Sequence, residues 1–170
     1  MSPSSWRTSL NQLLSRQTPK PRIAIVGVGN TFRSDDAAGI LVARTLMDSR
    51  VIRDLKTILV MDAGHAPENF TGDLRHFTPD VILLIDTAEM GEMPGTTRWL
   101  EMDELEGMSA STHTMPLSML AEYLTFERSG YVALIGVQPK SNDVGETTSA
   151  EVAAAVNKVV EGLIDSISGF

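Results

Sequence analysis

Apolar runs and stretches of helical periodicity alternate along this chain. Four runs of mostly apolar residues are predicted to be buried strands: Ile23–Val28, Thr57–Met61, Val81–Ile85 and Tyr131–Val137. Helices are predicted directly after the first strand, over Glu68–Phe77, over Pro116–Arg128 and from Thr148 onward. This order predicts an α/β fold with three αβα layers, in which helices cover both faces of a mostly parallel sheet of about five strands.

The fifth strand is predicted over Thr96–Glu101, after the turn Gly91–Gly95. Its connection to the preceding strand is too short for a parallel crossover, so we expect an antiparallel strand at the edge of the sheet. The last helix begins at a match to a capping box, Thr148-Ser149-Ala150-Glu151, which predicts that Thr148 caps the helix.

An amphipathic helix is predicted at the N-terminus. Its apolar stripe consists of Trp6, Leu10, Leu13 and Leu14, and Pro19 and Pro21 end the helix before the first strand. A stripe at helical spacing usually faces the protein's own core, so we expect this helix to dock on the domain. The chain is therefore divided into an N-terminal helical extension, residues 1–21, and a single αβα domain, residues 22–170.

Polar side chains that could bind a ligand follow several of these strands. Asp35 and Asp36 come between the first strand and its helix, and Asp86 ends the third strand. Taken alone, the Asp35-Asp36 pair suits a helix N-terminus, with one acid as cap and the other in solvent. Because open α/β sheets bind ligands beyond the carboxyl ends of their strands, we expect Asp36, Asp86 and His113 to converge there. Two carboxylates and one imidazole form an open coordination set for a divalent transition metal.

The composition excludes several function classes. The chain of 170 residues is 42% hydrophobic and contains no cysteine, which excludes disulfides, thiolate metal sites and cysteine nucleophiles. A net charge of −8 without a basic patch disfavours nucleic-acid binding. No apolar run is long enough to span a membrane, and no signal peptide is recognisable, so we expect a cytoplasmic protein. We also expect a monomer, since no coiled-coil heptad indicates otherwise.

Familiar catalytic and nucleotide-binding motifs fit poorly. Gly27-Val28-Gly29 resembles the start of a dinucleotide fingerprint, but Phe32 stands where the third glycine belongs. The carboxylates of Asp35 and Asp36 would also repel a pyrophosphate at the helix N-terminus. No Walker, GxSxG or HExxH sequence is present. A nucleotide-binding module remains the weaker alternative.

Four motifs, in order, resemble those of the [NiFe]-hydrogenase maturation endopeptidases, most of all the hydrogenase-3 branch. They read GVGNTFRSDDAAG (27–39), MDAGHAPEN (61–69), LLIDTAEMGEMPG (83–95) and STHTMPLSML (111–120). GVQP at 136–139 also fits the family. Each motif alone is loose, whereas four in the same order are specific, and the resemblance covers residues 22–165.

The resemblance implies an αβα endopeptidase that removes the C-terminal extension of a [NiFe]-hydrogenase large-subunit precursor after nickel insertion. The metal-binding positions of the family fall on Asp36, Asp86 and His113, and Asp62 matches a further acidic position. The implied catalytic set is therefore Asp36, Asp62, Asp86 and His113. The Ni²⁺ would arrive with the precursor, so no permanently bound metal is expected. His65 stands where the family often has Ser or Thr, and its role stays open.

The sequence leaves open two catalytic chemistries for the endopeptidase and one alternative function. The enzyme would be an aspartic-type or metal-assisted endopeptidase, in which Asp62 or Asp36 could activate water and the metal could polarise the carbonyl. A chaperone that binds the metallated precursor without cutting it would use the same residues.

Overall fold

A computed structural model describes residues 5–17, 19–105, 116–127 and 130–169. Within them, one sheet contains β1 (Ile23–Val28), β2 (Ile58–Gly64), β3 (Val81–Thr87), β4 (Thr97–Leu100) and β5 (Tyr131–Val137). The helices are α1 (Trp6–Ser15), α2 (Ala38–Asp48), α3 (Arg50–Arg53), α4 (Thr71–Phe77), α5 (Met102–Leu105), α6 (Leu117–Glu127) and α7 (Ala150–Ser168). Short 3₁₀ turns, Ser34–Ala37 and Pro67–Phe70, precede α2 and α4.

The sheet has the order β2-β1-β3-β5-β4, with β4 antiparallel to β5 and the other pairs parallel. This confirms the predicted fold class, including the antiparallel edge strand. The neighbour of that strand differs from the simplest expectation, because β4 pairs with β5 and not with β3, which precedes it. Burial explains the placement: β5 is buried at six of seven positions, whereas β4 is partly exposed at three of four and therefore suits an edge.

Two apolar cores lie on opposite faces of the sheet. One face, here called the α2 face, is covered by α1, α2, α3 and α7, and the other, the α6 face, by α4, α5 and α6. Along β1, Ile23 and Ile25 join the first core, whereas Ala24, Val26 and Val28 join the second. All six residues of β1 are buried, which explains why this strand is a continuous apolar run in the sequence.

Helix α1 docks on the α2 face. Trp6, Leu10 and Leu14 are buried, and burial of each large apolar side chain stabilises the fold by about 2 kcal/mol relative to exposure. The contact with α7 is close at Gly162, where an added Cβ would lie 2.7 Å from the Trp6 ring. The packing agrees with the expected docking, while the division of the chain at residue 21 stays a prediction.

Helix α7 begins one residue later than the capping-box match predicts. Its cap is Ser149, whose hydroxyl accepts a hydrogen bond from the Val152 backbone N–H at 3.4 Å. Glu151, which a capping box would turn back toward the helix start, instead pairs with Lys140 Nζ at 2.8 Å. None of the helices in the described part of the chain has both the length and the apolar character needed to cross a bilayer.

Candidate active site

The strand order creates a topological switch point between β1 and β3. From β1 the chain passes through α2 to β2 on one side, and β3 adjoins β1 on the other side. Segments that leave the carboxyl ends of β1 and β3 therefore diverge, and open α/β sheets bind ligands in the crevice that this creates. The Ser34–Ala37 turn follows β1, and the pair Asp86-Thr87 ends β3, so both polar segments lie at this crevice.

Thr87 links Asp36 and Asp86 at the switch point. Its hydroxyl donates to Asp36 Oδ1 at 3.0 Å, and its backbone N–H donates to Asp86 Oδ1 at 2.7 Å. Both carboxylates are buried, with exposed fractions of 2% and 0%. Thr87, which the sequence did not single out, therefore bonds to both of the predicted ligands that the structure describes.

The third predicted ligand, His113, lies outside the described residues. Among the residues that the structure does describe, no group of three or more His, Asp or Glu side chains is arranged to hold a metal ion. The coordination set of Asp36, Asp86 and His113 therefore stays a prediction.

Asp62 lies on β2, the strand next to β1. Its carboxylate accepts hydrogen bonds from Arg44 Nε at 2.7 Å and from the Gly64 backbone N–H at 3.2 Å. Its two strand neighbours pack in the α6-face core, so the Asp62 side chain points to the α2 face, where Arg44 of α2 lies. The structure gives Asp62 an ion-pair role and leaves its catalytic role a prediction. His65 is exposed in the loop that follows.

Asp35 is buried and binds the segment after β5. Its carboxylate accepts hydrogen bonds from the backbone N–H groups of Lys140 at 2.8 Å, Ser141 at 3.1 Å and Ser149 at 2.7 Å. The Ser149 hydroxyl also donates to it, at 2.9 Å. Burial raises the pKa of Asp35, but these hydrogen bonds outweigh burial and hold that pKa below its usual value.

The contacts of Asp35 correct the predicted cap of α7 and argue against the helix-cap alternative for the Asp35-Asp36 pair. Asp35 neither caps its own helix nor lies in solvent, because its carboxylate is fully buried and joins the Ser34–Ala37 turn to the start of α7. The same bonds fix Ser149 at the helix start, which explains why Ser149 and not Thr148 caps α7. Asp35 was weighed in the sequence only as the neighbour of Asp36, since its partners are more than a hundred positions away.

Asp35→Asn is expected to lower the free energy of unfolding by about 2 to 3 kcal/mol at pH 7, because buried N–H donors lose a charged acceptor. The folded-state pKa of Asp35 is depressed, so its stabilisation is full above the unfolded pKa of about 4 and is lost as pH falls through the folded value. Urea unfolding from pH 7 to pH 3 should show the gap between wild type and variant narrowing below about pH 4.

The control for this measurement is Asp165→Asn, which removes an exposed ion pair with Arg7. It should change the free energy of unfolding by less than about 1 kcal/mol. A gap between wild type and Asp35→Asn that stays constant down to pH 3 would contradict the assigned role of the Asp35 carboxylate.

Two glycines allow close backbone contacts within the strand–turn–helix unit that contains Asp36. Gly29 has φ +145°, and a Cβ there would lie 1.9 Å from the Asp36 carbonyl oxygen. A Cβ at Gly27 would lie 2.2 Å from the Gly39 carbonyl oxygen. In a dinucleotide-binding loop, such glycines leave space for a pyrophosphate. Here the Asp36 carbonyl fills that space at Gly29, which argues against the nucleotide-binding alternative.

These features define a class: a doubly wound α/β protein with buried carboxylates at the switch point of its sheet. The hydrogenase maturation protease (HycI) family matches residues 40–166 of the chain. A relative from Methanocaldococcus jannaschii, named as a candidate hydrogenase maturation protease, is 34% identical over 91% of this chain and 94% of its own length. The hydrogenase 3 maturation protease of Escherichia coli K12 is 35% identical over 66% of this chain and 69% of its own.

Solved structures agree with these sequence matches. The [NiFe] hydrogenase maturation protease HycI from Thermococcus kodakarensis superposes with a TM-score of 0.82 at 29% identity, covering 94% of this chain and 98% of that one. The chain therefore belongs to the hydrogenase maturation protease family, and it is a protease. This confirms the resemblance found in the four sequence motifs.

Proposed function

We propose that this protease removes the C-terminal extension of a [NiFe]-hydrogenase large-subunit precursor after nickel insertion, and that the inserted nickel is its recognition element. The observation that supports the proposal is the buried Asp36–Thr87–Asp86 arrangement at the switch point of a chain in this family. The name of the E. coli relative assigns it to hydrogenase 3, and the Thermococcus structure is named for [NiFe] hydrogenase maturation.

Asp36, Asp86 and His113 would contact Ni²⁺ that the precursor already holds. Without nickel, the two buried carboxylates repel each other and gain nothing from docking; with nickel, the same charges favour the docked complex. A ligand shifts binding only as far as it interacts differently with the two states. The metal thus acts as a checkpoint, because the carboxylates add affinity only for a precursor that has received its ion.

Hydrolysis requires a base that accepts a proton while water attacks the scissile carbonyl carbon. We favour Asp36 over Asp62 for this role, because the Asp62 carboxylate forms an ion pair with Arg44, whereas Asp36 lies at the switch point and accepts a hydrogen bond from the neutral Thr87 hydroxyl. The proton then passes to the leaving amine, which separates the C-terminal extension from the large subunit. In this aspartic-type scheme the nickel serves recognition.

The test is incubation with nickel-loaded precursor, followed by mass spectrometry of the large subunit. We expect the mass of the C-terminal extension to be lost with wild-type enzyme, and the full-length precursor to persist with His113→Ala. Precursor without nickel should also persist, and its rapid trimming would overturn the checkpoint. Tight binding of the nickel-loaded precursor with its mass unchanged would instead favour the chaperone alternative.

A further inference from the structure

Three exposed apolar side chains stand on the loops that border the candidate active site. Among the described residues, Phe32, Met93 and Val144 are the most exposed large hydrophobic residues, at 77%, 79% and 73%. Phe32 follows β1, Met93 follows β3 and Val144 follows β5, so all three lie beyond the carboxyl ends of strands. Parallel strands bring these loops to one edge of the sheet, the same edge that holds Asp36 and Asp86.

The Phe32 and Val144 loops are held together by backbone bonds. Asn30 Oδ1 accepts a hydrogen bond from the Phe32 N–H at 2.9 Å, which fixes the turn that presents this side chain. The Phe32 carbonyl accepts another from the Gly145 N–H at 2.9 Å, next to Val144. Ser34 Oγ donates to the Thr147 carbonyl at 3.0 Å. The loops that carry Phe32 and Val144 are therefore hydrogen-bonded to each other.

The Met93 loop is fixed to the same segment through Gln138, a buried residue at the end of β5. Gln138 Oε1 accepts hydrogen bonds from the backbone N–H groups of Met90 at 2.8 Å and Glu92 at 3.2 Å. The Gly95 N–H donates to the Gln138 carbonyl at 2.9 Å. The three apolar side chains thus stand on one hydrogen-bonded framework around the crevice.

We infer that Phe32, Met93 and Val144, here called the apolar rim, are the docking surface for apolar side chains of the precursor polypeptide beside the scissile bond. Exposed apolar side chains that cluster beside a binding site mark surfaces that contact another polypeptide. The loops that carry the rim leave the same carboxyl edge of the sheet as the Asp36 turn and Asp86, so a polypeptide that reaches these carboxylates approaches the rim. This inference rests on the proposed function and names the part of the enzyme that holds the substrate chain.

The rim and the carboxylates have different roles in recognising the precursor. Apolar contacts with the precursor form whether or not the peptide bond is reacting, so they stabilise the ground state and the transition state equally. Loss of such uniform binding raises KM and leaves kcat unchanged. Removal of a group that acts on the scissile bond lowers kcat, so kinetics can separate the two roles.

The test replaces rim residues and matched residues elsewhere with serine. Phe32→Ser, Met93→Ser and Val144→Ser are the rim variants, while Met47→Ser on α2 and Val51→Ser on α3 replace exposed residues of the same types outside the carboxyl-edge loops. With nickel-loaded precursor as substrate, Phe32→Ser should raise KM about tenfold and change kcat by less than about twofold. The two control variants should match wild type.

A binding experiment separates the contribution of the rim to affinity from the cleavage reaction. Calorimetry would measure how the Asp36→Asn variant binds nickel-free and nickel-loaded precursor. Addition of Phe32→Ser should weaken binding of both forms by the same factor. If wild type cleaves normally and rim variants keep its KM, the rim inference is wrong and the proposed function stands. If wild type neither binds nor cleaves the precursor, both fail. Loss of a dimer in Phe32→Ser, without a change in precursor affinity, would show that the rim contacts a second copy of the chain and overturn the inference.

Discussion

Asp36→Asn is expected to lower kcat/KM for nickel-loaded precursor by about a thousandfold. Asparagine keeps an oxygen that can accept the Thr87 hydroxyl, so the local fold should survive. What the variant loses is the negative charge, and with it both the attraction to the cation of the substrate and the base that we assign to water activation. Quantitative mass spectrometry of single-turnover reactions would measure the loss.

Two further asparagine variants serve as comparisons that show whether the loss is specific to Asp36. Asp48→Asn changes an exposed acid at the far end of α2 and should process precursor at the wild-type rate. Asp62→Asn removes an acid that is bonded to Arg44, and on our assignment it should keep more activity than Asp36→Asn. Normal processing by Asp36→Asn would refute the proposed site, and equal losses in the Asp36 and Asp62 variants would refute the choice of base.

Gly39→Ala is expected to lower the free energy of unfolding by about 3 kcal/mol. A Cβ at Gly39 would lie 2.0 Å from the carbonyl oxygen of Ile85 and 2.3 Å from that of Val28. Both atoms belong to the backbone of central strands, so neither can move away cheaply. The strain should also displace the Ser34–Ala37 turn, which leads directly into α2, and should reduce processing together with stability. Urea unfolding would measure the first effect.

Gly72→Ala is the matched control, because Gly72 is also the second residue of a helix, α4. A Cβ there would meet no atom within 4 Å. Alanine restricts the unfolded chain and suits a helix better than glycine, so this variant should gain about 0.5 kcal/mol. Equal stability of the two variants would show that α2 does not pack against β1 and β3 as closely as described.

Most of the sheet could be predicted from the sequence because its parallel strands are buried on both faces. Such strands are continuous apolar runs, and the prediction for Tyr131–Val137 agrees with the structure at both ends. The partner of β4 could not be predicted in the same way. Alternation and composition identify a strand, but they carry no information about which neighbour it pairs with.

The candidate site was predictable where chemistry coincides with a strand end. Asp86 could be chosen because an apolar run stops just before it, and Asp36 because it stands between the first strand and its helix. Asp35 and Thr87 were not chosen, since their roles depend on contacts that only the folded chain creates. Asp35 binds Ser149, 114 positions away, and Thr87 reaches Asp36 across 51 positions. A short polar side chain beside a chosen acid was the only local signal.

The position of β4 in the sheet also sets an order of assembly. During synthesis β4 leaves the ribosome before β5, the strand it pairs with among the described residues, has been made. Its peptide groups must stay bonded to water until residues 131–137 emerge and pair with β3. That pairing closes a long loop between β3 and β5, at an entropic cost. A waiting strand of four residues offers other nascent chains little to pair with, so its brevity protects the unfinished protein from aggregation.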